Sequence, residues 1–288
     1  MNHSLNDLKG YHEEAVKFFA AELYLMKEVI PQITNDRLAK AATLLMSCGQ
    51  TGAVLVQIAV QADSFTTQTA MLARAFIEGM TNFCYVGLCD ENEFRAFVLH
   101  PVYKHYHELG SLTMAESLGA DPTLALTNRK AKQEKFKEKQ IVKEALHVFS
   151  ETKATINWTK KRFGERIELI EQSKKLMDVF FTINQLQYYS DASEALHGSL
   201  YGSTYTTGIF NPDFDHSNSE KLAARLHEIN ACTLLHLGML IHEAFTLISY
   251  SDKIEELWDP SYRNRNLALN LLFHLLGIKQ NSTQMPDA

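Results

Sequence analysis

TTQTAMLARAFIEGMTNFCYVGL, residues Thr66–Leu88, reads as one long helix. Its large apolar residues, Met71, Leu72, Phe76, Met80 and Phe83, recur at the three- and four-residue spacing of a single helical face. The rest of the chain follows the same rule. Leu5–Ile30 is periodic and stops at Pro31. Asn35 or Asp36 can cap a helix running to about Ala62, with a possible break at Gly49–Gly52. Glu91–Leu118 is helical, with Pro101 expected to kink or restart it. Asp121-Pro122 suits the first turn of a further helix, and Arg129–Ser150 reads as a charged helix.

Beyond a connection near Asn157-Trp158 and Gly164, Ile167–Gln187 and Tyr188–Leu200 read as one bent helix or two. Tyr201–Ser219 is the long irregular stretch, of a length often functional or disordered. Glu220–Tyr250 is a long helix and Asn264–Leu276 a short final one. No segment alternates with period two, and no repeat or interdomain linker stands out. The expectation is an all-α protein, a single large helical bundle of about eight to ten helices over residues 1–278, with a disordered tail at 279–288.

Hydrophobic residues make up 45% and charged residues 22% of the 288, with six prolines and thirteen glycines. This is an ordinary globular composition that favours long helices. The net charge of −6 argues against a wholly basic nucleic-acid binder. The charge is uneven, however. Arg129–Lys175 holds fourteen Lys/Arg against seven acids, net +7, which leaves −13 for the remainder. Such a segment marks an anionic partner or a solvated helix with Glu–Lys pairing. Within it, Lys160, Lys161 and Arg162 are the candidate contacts to such an anionic partner, RNA if the resemblance given below holds.

Cys48, Cys84, Cys89 and Cys232 lie in apolar segments without metal-type spacing and read as small buried hydrophobes kept reduced. No signal peptide is legible at the N-terminus. The apolar runs near Thr51–Ala62 and Leu267–Ile278 are too short or too polar to span a bilayer. The expectation is a soluble cytoplasmic protein with no membrane partner and no cofactor.

Two constellations could carry chemistry. Arg74 and Glu78, four apart in an apolar helix, share a face, and a buried charge there needs a partner. They form either an internal ion pair that fixes packing or one wall of a pocket. The second is Tyr188-Tyr-Ser-Asp-Ala-Ser-Glu-Ala-Leu-His-Gly-Ser199, a helix ending at Gly198. Its Ser190, Ser193, Glu194 and His197 gather on one stripe where a core helix would place Leu or Ile. His197 suits acid–base work, Ser193 could orient it, and Glu194 could accept a proton or stabilise the imidazolium. The bland alternative is a hydrogen-bonded core network.

Ala73-Arg74-x-x-x-Glu78, then Trp158, then Tyr189-x-x-x-Ser193-x-x-x-His197-Gly198 resembles a bacterial family of all-helical domains of unknown function, over roughly residues 35–200. That family is similar to the HEPN class (higher eukaryotes and prokaryotes nucleotide-binding), many of whose members are toxin or phage-defence ribonucleases. The resemblance implies a HEPN-like core with extra N- and C-terminal helices, a homodimer, and RNA as partner. It also implies a metal-independent ribonuclease site of Arg74, Glu78, Ser193, Glu194 and His197. HEPN ribonucleases carry Arg-x(4–6)-His. Arg95 and His100 match that spacing, but Ala96 fills the usual polar place and Pro101 follows the His. Arg74 with His197 is the alternative pair.

Two other readings stay open. One is a non-enzymatic module that binds a ligand or partner, RNA or another anion, through the same cluster. The other, a minor one, is a ferritin-like di-metal oxidoreductase built from Glu144-x-x-His147 and Glu194-x-x-His197, with Glu78 and one of Glu165, Glu168 or Glu171. His105, His107, His236 and His242 read as surface or core histidines. No phosphate loop or nucleophile elbow is present.

Overall fold

A computed structural model describes residues 3–119, 121–154, 157–173, 176, 178–189, 219–252 and 258–275. Among them the chain is all-α, with no strand. It divides into two compact units: residues 1–87 with 166–288, and residues 88–165.

In the first unit, α1 (Leu5–Val29) starts at a capping box in which Ser4 and Asp7 satisfy each other's backbone N–H groups. Its buried stripe is Leu8, His12, Ala15, Phe19, Glu22, Met26 and Val29. α2 (Asp36–Ala59) is capped by the Asn35 side chain, which accepts from the N–H groups of Arg37 and Leu38. The expected interruption at Gly49–Gly52 is absent. These glycines stay helical and let α1 approach closely, since a Cβ on Gly52 would stand 2.5 Å from Leu23 Cδ2. α3 (Ala62–Leu88) packs Phe76 edge-on against Phe19 of α1, ring centroids 5.4 Å apart.

α8 (Phe163–Gln172) and α9 (Asp178–Ile183) follow, and α9 runs directly into a π-helical segment, Asn184–Tyr189. α10 (Ser219–Asp252) is the core helix of this unit and packs along α1. Gly238 on α10 is another close approach, because any Cβ there would meet the Phe18 ring. α11 (Trp258–Leu275) packs on both α1 and α10.

By length and composition, α2 and α10 could each cross a membrane, which the shorter runs singled out from sequence did not suggest. The most apolar window of α10 is 89% buried, which accounts for it as a core helix. The corresponding window of α2 is 33% buried.

In the second unit, α4 (Glu91–Leu109) packs against α6 (Pro122–Lys137) and α7 (Gln140–Thr152), with the one-turn α5 (Met114–Ser117) beside α6. α4 runs through Pro101 without a break. Pro101 sits on its exposed side, where water can satisfy the carbonyl that loses its partner. The charged helix expected over Arg129–Ser150 is two helices, divided at Glu138–Lys139. α6 buries no residue, whereas α7 buries Val142, Ala145, Val148 and Phe149, the last three clustered with Ala96 and Leu99 of α4. This second unit holds thirteen Lys/Arg and eleven Asp/Glu, so it is net +2 while the first is −8.

Candidate functional site

Arg74, Glu78 and Asn82 lie four apart on α3 and so form one polar stripe on an otherwise apolar helix. The expected Arg74–Glu78 ion pair does not form. Glu78 is met by Arg166 of α8, Nη2 to Oε1 at 3.7 Å, and Arg166 Nη1 also donates to Asn82 Oδ1. Arg166 is buried, so its charge requires this company.

Arg74 turns instead to the π-helical segment. Its guanidinium carbon lies 4.9 Å from the centroid of the Tyr189 ring, and Nη2 donates to the Tyr189 hydroxyl at 3.4 Å. Its Nε is buried and has no hydrogen-bond partner among the described residues. Tyr189 opens the motif singled out from sequence. Ser193, Glu194 and His197, and with them the expected contact between Arg74 and His197, lie outside the described residues.

Asn184–Tyr189 is a π-helix, a rare winding often found next to functional sites. It sends neighbouring tyrosines to different helices. Tyr189 reaches α3, while the Tyr188 hydroxyl sits 3.1 Å from His236 Nδ1 on α10. The same Nδ1 is 2.7 Å from the Cys232 carbonyl. A carbonyl can only accept, so Nδ1 carries the proton and the imidazole is fixed in one tautomer. Burial holds the pKa of His236 below its ordinary value, and the Cys232 carbonyl partly offsets this.

Sequence reasoning missed most of the buried polar groups of this unit. His12 and His227 place their Nδ1 atoms 2.9 Å apart between α1 and α10. Glu22 Oε1 accepts from Asn264 at 2.9 Å. His242 Nε2 accepts from Arg265 Nη1 at 3.2 Å, and Asn230 donates to Thr66 at 3.2 Å. Burial pushes Glu22 up to about 7 and His12 down to about 4. His242 also falls to about 4, through burial first and the Arg265 charge second. The signal was present in the sequence: His12 and Glu22 occupy stripe positions between apolar residues of α1.

The candidate RNA triplet lies in the second unit and does not act as three free cations. Lys161 Nζ is 2.5 Å from Oε2 of the buried Glu93, whose Oε1 accepts from Thr159 at 2.8 Å. Lys160 and Arg162 have exposed side chains, and the Arg162 backbone N–H donates to Glu165 at 2.5 Å.

In the same unit Arg95 pairs with Glu144 at 2.5 Å, and His100 stacks on Phe149. Glu144 is thereby engaged, and His147 faces Glu151 at 3.7 Å. In the first unit Glu171 accepts from Thr182 at 2.7 Å. Among the described residues no three His, Cys, Asp or Glu side chains converge as a metal set. The chain matches no protein-family model, no curated protein and no solved structure.

Proposed function

We propose that this is a HEPN-like, RNA-directed protein whose polar pocket is built around Arg74 and cleaves RNA without a metal. The observation that carries the reading is the state of Arg74. It is an arginine held over the ring of Tyr189, the residue that opens the Tyr189–Gly198 motif in sequence, and its buried Nε has no hydrogen-bond partner among the described residues. A guanidinium so placed can neutralise charge on a scissile phosphate. In this reading His197 moves the proton, Ser193 orients its ring and Glu194 steadies the imidazolium. The ribose 2′-hydroxyl serves as nucleophile, so cleavage survives chelators and fails on 2′-deoxy substrate. The toxin or phage-defence setting, the cytoplasmic location and the homodimer belong to the same proposal, and solution mass at micromolar concentration tests the last.

One observation favours a second reading, a non-enzymatic binding module. Glu78 and Asn82 already have an internal partner in Arg166, as a packing network would. RNA cleavage by the wild type and by His197→Ala, with thermal unfolding of both, separates the two. Loss of cleavage with an unchanged fold supports the enzyme. Loss of about 1–3 kcal/mol of stability, with no cleavage by wild type, supports the module.

A further inference from the structure

The second unit contains an open cleft of ≈ 560 Å³ where the end of α4 and the turn after it meet α6. Its volume falls in the range of small-molecule sites. Beside Glu108, Leu109, Ser111, Leu112 and Thr113, its wall carries two further kinds of side chain. The first is aromatic. Tyr103 is clamped on Phe149, centroids 3.8 Å apart and planes 6° from parallel. His107, one helical turn on, meets the Tyr103 ring at 4.4 Å, and His105 stands edge-on to Phe136 at 5.1 Å. The second kind is cationic. Lys104 is exposed and has no ion-pair partner among the described residues. Arg129 is held in place by Glu116 at 2.5 Å and by the Glu108 carbonyl at 3.0 Å. Within one helical turn of Arg129, α6 also exposes Lys130 and Lys132.

We infer that this cleft binds single-stranded RNA, with a base against the Tyr103–His107 rings and the adjoining phosphates on Lys104, Lys130 and Lys132. Preset aromatic surfaces beside a basic track are what an unpaired strand requires, because every base offers a π-face and every linkage a charge. An acidic peptide would use the cations but leave the rings without a role. The inference rests on the RNA-directed reading above and assigns the holding of the strand to a surface other than the Arg74 pocket.

The test measures binding of fluorescent oligouridylate and oligoadenylate RNA to the full chain, over a salt series, by anisotropy. His107→Ala and Lys104→Gln change exposed positions, and thermal unfolding checks that both remain folded. Lys137→Gln controls for general charge loss. The expected result is a Kd raised about tenfold in His107→Ala, the size of one lost stacking contact. A comparable rise is expected in Lys104→Gln, with the salt slope reduced by about 0.7.

If both cleft variants bind like Lys137→Gln while the wild type still binds and cleaves RNA, the cleft assignment is wrong and the functional reading stands. A wild type that neither binds nor cleaves RNA overturns both. Adenosine monophosphate binding as tightly as the oligonucleotides would make the occupant a free nucleotide rather than a strand. Displacement of RNA by an oligoglutamate peptide at equal concentration would make it an acidic protein. Either result overturns the inference.

Discussion

The Arg74 guanidinium lies over the Tyr189 ring and donates to its hydroxyl, so α3 is tied by a cation–π contact to the last described turn before the Ser193–His197 stripe. A contact of this kind contributes about 0.5–2 kcal/mol. Lysine keeps the charge but loses the planar face and the fork. Arg74→Lys should therefore cost about 1 kcal/mol in stability and about 10²-fold in RNA cleavage. Chemical denaturation and a cleavage assay on the same preparation check this. Equal cleavage by the two proteins would remove Arg74 from the site.

Glu22 should make the fold less stable as pH rises. Its folded pKa, about 7, lies above the ordinary value of 4.5 because burial disfavours the charge. The folded state thus holds a proton that the unfolded state releases between pH 4.5 and 7. The contribution is full below 4.5 and lost on the way to 7. Glu22→Gln keeps an acceptor for Asn264 and cannot ionise. It should match the wild type near pH 4 and be more stable at pH 8 by on the order of 3 kcal/mol. Urea unfolding at the two pH values measures it, and equal midpoint shifts at both would refute it.

The buried histidines act in the opposite direction. His12 and His242 have folded pKa values of about 4, below the ordinary 6.5, so the unfolded chain binds these protons first as pH falls. Their contribution is full above 6.5 and lost between 6.5 and 4, each on the order of 3 kcal/mol. His242→Gln should flatten the acid limb of the stability curve in that window. A limb as steep as in the wild type would show that His242 does not titrate with unfolding.

Gly238→Ala should destabilise the fold by about 1–3 kcal/mol, because the added methyl has no space beside the Phe18 ring on α1. Gly10→Ala, with nothing near the new Cβ, should be neutral or slightly stabilising in mid-helix. The difference between the two denaturation midpoints isolates packing from backbone propensity.

Cys48 and Cys84 should resist thiol reagents until the protein unfolds. Both are buried free thiols, and burial pushes Cys48 up to about 12 and Cys84 well above its ordinary value. With so little thiolate, their labelling should track global unfolding. Modification within seconds under native conditions would contradict their placement.

Most of the helices were legible in the sequence. Helical periodicity and caps are local, so Asn35, the Asp121-Pro122 start and the apolar face of α3 could be read from neighbouring residues alone. Local reasoning failed where the deciding contact came from afar. Gly49 and Gly52 looked like a break until α1 supplied the residues that pack against them. Both passages between the units fall inside or at the end of a helix, α3 and α8, where composition does not change. Only the tertiary structure decided which charges meet. Glu78 takes Arg166 rather than its neighbour Arg74, Lys161 takes Glu93, and Arg95 takes Glu144, each partner lying 49 to 88 residues away in sequence. Pairing energy depends on distance through space and on burial. Sequence spacing fixes those only within a helix, and for these residues the packing of different helices set them.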